Sequence, residues 1–355
     1  TSKHVENTTE TRQALDSPPM LRAIVAAAVC LACAESFSPA VPMGSSLASH
    51  RAASSGRKAV SALRMQDDTP SGLAVTDGKY DAKRFYVRPD RLADVALAGL
   101  GLPLSLGYGA FADGYGVELA KDVPGEYAVL KAAGYMWKEK SAVGSYPRPA
   151  QPVELYEFQG CPFCAKVRFA AAILDLDILF KPCPRDSTVN RPFIVERGGK
   201  SMFPYMIDPN TGTEMYESAD IIKYLFKNYG PGEAPEFLTG PVLTIAAGLS
   251  FIPRVGKGSK KAADALPIPP AQPITVWGYE ASPFSKVVRE ALNELELTHV
   301  WKSCARGSPK RQVLYDQTGG TMQLPYMEDP NSGVKMFESA EIVDYLRKTY
   351  SQASA

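Results

Sequence analysis

Shifted against itself by 121 residues, the chain aligns 153–229 with 274–350 without a gap, and 29 of the 77 pairs are identical. The identities cluster instead of scattering. Pro162-Phe163 falls on Pro283-Phe284, Cys183 on Cys304, Pro204-Tyr205-Met206 on Pro325-Tyr326-Met327, and Glu217-Ser218-Ala219 on Glu338-Ser339-Ala340. A gapless offset leaves no room for a loop that one copy has and the other lacks. The chain must therefore build one supersecondary unit twice, as two modules of roughly 80 residues each and not as a solenoid array.

Within each copy the hydrophobic pattern alternates between short apolar runs and amphipathic stretches. In the first copy these are a strand at 153–158, a helix opening at the CPFC turn, a second strand at 178–181, and a polar connection with a second helix. A hairpin and a last helix follow. The turn residues Asp208-Pro209-Asn210-Thr211-Gly212 mark the hairpin, and Ser218 reads as the N-cap of the closing helix, with Ile221, Ile222 and Leu225 on one face. The order βαβαββα predicts an α/β fold: a small mixed sheet with helices on both faces. Before each module lies an apolar stretch, 97–107 and 247–257, which match when Pro103 is set on Pro253. Each module thus carries an apolar lead-in helix broken at a proline, expected to pack on that module's sheet or to meet a membrane surface or membrane-protein partner. Pro/Gly-rich linkers are expected at 146–152, 231–241 and 267–273. The predicted organisation is a leader at 1–66, a lead-in segment at 67–150, module 1 at 151–230, a linker with lead-in helix at 231–272, and module 2 at 273–350.

With 39 basic and 38 acidic residues among 355, nothing in the charge favours a nucleic-acid partner, and none is expected. The uncharged run 95–112 is interrupted by Pro103 and four glycines, so it does not predict a clean membrane span. Residues 1–19 are polar and unpatterned, and Met20 reads as the translation start. The apolar stretch 23–34 has the layout of a secretory signal. The segment 37–65, rich in Ser and Ala and free of acidic residues, has transit-peptide composition. Cys30 and Cys33 also form a C-x-x-C, but inside the signal's apolar core, where no redox or metal role is expected.

Six cysteines are too few for a disulfide-stapled scaffold, and beyond the leader only Cys161 and Cys164 have a recognised chemical spacing. A cysteine between a strand and a helix faces unpaired N–H groups and the positive end of the helix dipole, which favour a thiolate. Cys161 is expected to be that exposed nucleophile, and Cys164 the resolving thiol one turn on. Half of a zinc site and an inert pair are the other readings. The zinc site would need a second C-x-x-C or paired His, and none lies downstream, so no metal is expected. Lys166 and Arg168 read as solvated surface charge, and Cys183 and Cys304 as packing cysteines. In module 2, Ser282 and Ser285 replace both cysteines, which rules out disulfide exchange at that turn.

The run Tyr156-Glu157-Phe158-Gln159-Gly160-Cys161-Pro162-Phe163-Cys164, with Phe203-Pro204 and Glu217-Ser218, resembles glutaredoxins and the N-terminal domain of glutathione S-transferases. The layout over 86–350 is similar to plant and algal plastid proteins with two such domains in tandem. The resemblance implies two tandem thioredoxin-like modules with cis peptides before Pro204 and Pro325. It also implies glutathione as co-substrate: Phe203 would offer its backbone to the cysteinyl part, and Glu217 and Ser218 would hold the γ-glutamyl end. The matching second-module residues, Ser282, Ser285, Leu324, Pro325, Glu338 and Ser339, form a degenerate site in which Ser282 is a weak candidate for activating glutathione. A signal followed by a transit peptide opening at Phe37 is similar to the bipartite leader of algae whose plastids have extra membranes, which places the protein in the plastid, in the stroma or at the thylakoid. The expected activity is glutathione-dependent thiol–disulfide exchange on protein disulfides or glutathionylated proteins. The competing reading is a non-enzymatic structural or assembly subunit of a thylakoid photosystem or light-harvesting complex. Conjugation of bulky electrophiles is disfavoured, because the two modules are separated by only 43 residues (231–273), too few for a full transferase helical domain.

Overall fold

The computed structural model describes residues 82–83 and 86–352. The leader at 1–66, with Met20, Cys30, Cys33 and Phe37, lies outside the described residues. In chain order come the lead-in helices α1 (Leu92–Gly99) and α2 (Gly101–Leu104), then strands β1 (Gly116–Lys121), β2 (Leu130–Ala132) and β3 (Tyr135–Lys140). Module 1 follows with β4 (Val153–Glu157), α3 (Pro162–Ile173), β5 (Ile178–Pro182), α4 (Asn190–Gly198), β6 (Tyr205–Asp208), β7 (Thr213–Met215) and α5 (Ser218–Tyr229). Helices α6 (Glu236–Thr239) and α7 (Pro241–Leu249) lead to module 2. It repeats the order as β8 (Ile274–Gly278), α8 (Pro283–Glu294), β9 (His299–Ser303), α9 (Lys310–Gln317), β10 (Tyr326–Asp329), β11 (Val334–Phe337) and α10 (Ser339–Tyr350). Both peptides expected to be cis, Phe203-Pro204 and Leu324-Pro325, are cis.

The two modules share one eight-stranded sheet in the order β11-β10-β8-β9-β5-β4-β6-β7. In each half the first strand runs parallel to the second and antiparallel to the hairpin. The halves join where β5 meets β9 antiparallel, with Ile178 opposite Trp301, Leu179 opposite Val300 and Phe180 opposite His299. Either strand alone would present an apolar edge with unpaired backbone groups, the usual template for aggregation. Pairing the two copies removes both edges at once.

Helix α3 starts where Pro162, fixed at the helical φ, occupies the first turn. The small residues Ala170, Ala171 and Ala172, all buried, let neighbouring elements approach closely. The apolar face of α5 (Ile221, Ile222, Leu225, Phe226) packs on α3, and each such side chain, fully buried, contributes roughly 1.5–3 kcal/mol. At the hairpin turn Asp208 is buried yet satisfied: its carboxylate accepts from the Tyr224 hydroxyl at 2.7 Å, the Tyr229 hydroxyl at 2.5 Å and the Asn210 N–H at 2.9 Å. Asp329, Tyr345, Tyr350 and Asn331 repeat this arrangement in module 2.

Each lead-in helix covers a different module from the one it introduces. Helix α1, which precedes module 1, packs on α8 of module 2, whereas α7, which precedes module 2, packs on α3 of module 1. The segments after them follow suit, Phe111 bridging to Arg306 and Lys260 to Arg185. An ion cluster fastens the exchange, with buried Arg254 reaching Asp94 Oδ1 at 2.8 Å and Glu290 Oε1 at 2.8 Å. Strands β1, β2 and β3 form a separate sheet in the order β1-β3-β2, antiparallel at both pairings, that the hydrophobic pattern did not announce. It docks on module 2, where Ser141 Oγ donates to Gly307 O at 2.6 Å and Arg306 pairs with Glu139 at 3.1 Å.

Candidate functional site

Cys161 is the N-cap of α3, with extended backbone (φ −88°, ψ 119°), so its side chain turns back over the first helical turn. Its Sγ accepts from the Cys164 N–H at 3.3 Å and donates to the Phe203 carbonyl at 3.9 Å. The fold thus brings the Cys161–Cys164 turn and the residue before Pro204 together from two separate points of the chain. Donation by the Cys164 thiol, opposed by burial and reinforced by the Cys164 N–H, holds the Cys161 thiol below its ordinary value. Burial pushes Cys164 well above its own. The pair is therefore split into a thiol that ionises readily and one that does not, both reduced.

The expectation that Cys161 is exposed is corrected: only 4% of it is accessible. The strand-to-helix turn is roofed by the tail of the α7 lead-in. Gly160 lies so close under Ser259 that a Cβ there would stand 2.0 Å from Ser259 Oγ. Lys166 and Arg168, read as solvated, are also buried. Arg168 bonds to Glu157 of its own module and, at 3.0 Å, to Glu280 of module 2, which also holds Arg289. Lys166 Nζ donates to the Thr239 carbonyl at 3.3 Å. These charges face inward because module 2 and helix α6 cover the side of α3 that an isolated module would show to water.

Glu217 is exposed and flanks α5 with a left-handed backbone, φ 67°. That places Ser218, expected as the cap, inside the first turn, buried and with no capping bond from Glu217. Its counterpart Glu338 has φ 69° and Ser339 is likewise buried. A non-glycine residue held in this region carries strain of order 1–3 kcal/mol, and both modules retain it.

Cys183 and Cys304 are fully buried, each against an aromatic cluster: Tyr156 and Tyr205 in module 1, Trp277 and Tyr326 in module 2. Burial pushes Cys304 up to about 12 and Cys183 well above the ordinary range. In module 2, Ser282 repeats the cap, accepting from the Ser285 N–H at 3.2 Å, while Ser285 Oγ is buried with no partner. Leu324 packs with Trp277 and Cys304, so the degenerate residues occupy the same places without a thiol.

Arg191 escaped the sequence reading. Its guanidinium lies 4.8 Å from the Phe203 ring centroid and 5.6 Å from that of Phe158, and Nε donates to the Pro184 carbonyl at 2.8 Å. It puts a cation beside the Cys161 turn from a stretch whose only sequence signal was polarity. Among the described residues no group of three or more His, Cys, Asp or Glu side chains could hold a metal ion, and no helix is long and apolar enough to cross a membrane.

Residues 155–234 and 276–354 each match the family model of the glutathione S-transferase N-terminal domain. No curated protein matches the chain. Among solved structures, two of the Bombyx mori glutathione transferase BmGSTD1 are 28% identical over 24% of this chain and 39% of that one, with TM-scores of 0.22 and 0.21. The Leishmania protein TDR1, described as a unique trimeric glutathione transferase, is 13% identical over 58% of this chain and 68% of that one, with a TM-score of 0.21. The chain thus spans well under half the length of the Bombyx transferase it matches. The repeat, the shared sheet and the two matched segments show two modules of thioredoxin-like fold, each similar to the glutathione S-transferase N-terminal domain.

Proposed function

We propose that the chain is a glutathione-dependent thiol–disulfide oxidoreductase working at Cys161 and Cys164. The observation that carries the reading is the capping geometry of Cys161, whose sulfur accepts the Cys164 N–H while its partner thiol stays protonated. The Cys161 thiolate attacks one sulfur of a protein disulfide or glutathionylated thiol, and the other sulfur leaves as a thiolate that takes up a proton. Cys164 then gives up its proton and displaces the bound sulfur, leaving a Cys161–Cys164 disulfide. Two glutathione molecules reduce this disulfide and leave as oxidised glutathione. Phe203 would align the cysteinyl portion. Exposed Glu217, Ser218 and the first turn of α5 would receive the γ-glutamyl end, whose carboxylate suits a helix N-terminus. Ser282, Ser285, Leu324, Pro325, Glu338 and Ser339 would form a site without redox chemistry. The test is reduction of a small mixed disulfide by glutathione with the purified full chain. Activity equal to that of Cys161→Ser would end the proposal.

A second reading, a docking subunit at the thylakoid, has its own observation. The adjacent helices α2 and α7, with the residues that flank them, expose Leu100, Val242, Ile245, Ile252 and Val255, the last 90% accessible, with Lys257 and Lys260 close by in sequence. Apolar surface of this extent marks contact with a partner. Plastid residence belongs to both readings. Native protein found only outside plastids, or a mature N-terminus that retains 20–36, would refute it.

A further inference from the structure

The two modules offer the same cleft, but only one of them is open. Glu338 has the same left-handed backbone as Glu217, yet it is 8% accessible whereas Glu217 is exposed. What covers it is the chain's own main chain. The Lys83 N–H donates to Glu338 Oε1 at 2.9 Å, across 255 residues of sequence. Gln323 Nε2 donates to the same oxygen at 2.5 Å and to the Lys83 carbonyl at 3.2 Å, so both polar groups of the Lys83 backbone are met by one clamp. Ala82 packs on the cluster of Trp277, Cys304, Tyr326 and Phe337, with Leu324 of the cis peptide beside it. Farther along, Arg88 reaches Asp344 at 2.6 Å and Arg91 reaches it at 2.5 Å, tying the same segment along α10.

The clamp has no equivalent in module 1. Position 202, the counterpart of Gln323, is Met202, whose side chain offers no N–H. No described residue hydrogen-bonds the Glu217 carboxylate. One residue, glutamine or methionine, therefore distinguishes a cleft that grips a backbone from one that is left free.

We propose that the cleft of the second module is a binding site for polypeptide main chain, and that its ligand is the chain's own segment 82–83, whose backbone turns back directly after it, the Tyr86 N–H donating to the Lys83 carbonyl at 3.2 Å. The chemistry that selects the ligand is an N–H presented to Glu338, a carbonyl presented to Gln323, and a small side chain one residue earlier, since Ala82 rests directly on the aromatic cluster. Module 2 thereby holds the N-terminal arm in place beside α1, which packs on α8 of the same module. The site needs neither a thiol nor glutathione.

Two variants of the full chain test this. Lys83→Pro removes the donated N–H together with the lysine side chain and fixes φ, whereas Lys83→Ala removes the side chain alone and keeps the N–H. Tryptic cleavage after Arg84 is expected to accelerate about tenfold or more in Lys83→Pro and to stay at the wild-type rate in Lys83→Ala, as expected when a hydrogen bond to a carboxylate is lost. In wild type the Lys83 amide is expected to exchange slowly with deuterium, and faster in Gln323→Ala, a variant outside every strand and helix. Equal cleavage in both Lys83 variants, or a Lys83 amide that exchanges like free chain, overturns the proposal. So does calorimetric binding of two glutathione molecules per wild-type chain. Failure of glutathione to bind at all, with Lys83 protected, counts against the activity proposed for module 1 and supports the internal-ligand site.

Discussion

Module 1 keeps its cysteines, leaves Glu217 open and buries its helix charges against its partner. Module 2 has serines at the turn and closes Glu338 with a backbone. The frames are the same: the same strand order, the same Asp–Tyr–Tyr turn lock, the same strained glutamate and the same cis peptide. Of the 48 pairs that differ, three change what the cleft can do: Cys161 against Ser282, Cys164 against Ser285 and Met202 against Gln323. On the proposed reading, a duplicated fold divides its tasks without altering its scaffold, one copy keeping the thiols and the other becoming an anchor.

The largest expected effect comes from removing the reactive half of that comparison. Cys161→Ser should lower glutathione-dependent disulfide reduction to background, while Ser282→Ala should leave the rate unchanged. Cys164→Ser should keep glutathionyl transfer and lose reduction of protein disulfides, since only the second step needs it. Alkylation of Cys161 should rise with pH through a midpoint below the free-thiol value of about 8.5, because its thiolate is favoured in the fold. Cys183 and Cys304, fully buried and shifted upward, should label far more slowly. Equal labelling of Cys161 and Cys183 would erase the functional difference between the modules.

Next in size is the charge cluster that joins them. Arg168→Met leaves Glu157 buried without its cation and Glu280 with only Arg289. Removing one member of a buried pair costs about 3–5 kcal/mol. Cooperative thermal unfolding should shift accordingly. Separate early melting of module 1 would show that the cluster, more than the shared sheet, holds the modules together. An unchanged midpoint would sink the assignment.

The seam between β5 and β9 adds a pH-dependent term. His299 is fully buried, stacks 5.3 Å from Phe180, and is pushed down to about 3 by burial. The unfolded chain takes up a proton near 6.5, but the folded chain does so only near 3. Stability is thus full above about pH 6.5 and falls as pH drops through 3, by up to roughly 5 kcal/mol in all. His299→Phe should flatten the acid limb of the stability curve that denaturant titrations trace between pH 7 and 4. An acid limb identical to wild type would show that the seam is not where protons act.

The sequence made the modules legible because their signals are local and repeated. The CPFC turn, the Asp-Pro-Asn hairpin and the α5 stripe of Ile221, Ile222 and Leu225 each act within a dozen residues. What joins the copies is not local. Arg168 meets Glu280 across 112 residues, and Arg254 meets Asp94 across 160, so no window contains both partners. The three-stranded sheet escaped for another reason. Val117, Leu119, Leu130 and Tyr135 are exposed, so its strands lack the buried alternation that identifies a sheet. Lead-in exchange was hidden as well, because an apolar helix states that it must be covered and not by which module. At the site, the cysteines were legible from spacing, whereas the roof over Cys161 and the arm in Glu338 depend on segments remote in sequence.

The smallest predicted effect tests whether the turn of module 2 still does something that module 1's turn does. Ser282 Oγ and Cys161 Sγ cap their helices in the same way, at 3.2 and 3.3 Å from the N–H three residues on. A hydroxyl is the stronger acceptor, and replacing a serine cap by alanine costs about 1 kcal/mol. Sulfur accepts weakly, so Cys161→Ala should cost less than Ser282→Ala, by a few tenths of a kcal/mol. If selection at this position in module 2 favours capping over chemistry, serine is the better choice there, and Cys161→Ser should be neutral or slightly stabilising while it abolishes activity. Chemical denaturation of the three variants decides the matter: Cys161→Ala less stable than Ser282→Ala would mean that sulfur in module 1 is held by more than the helix end.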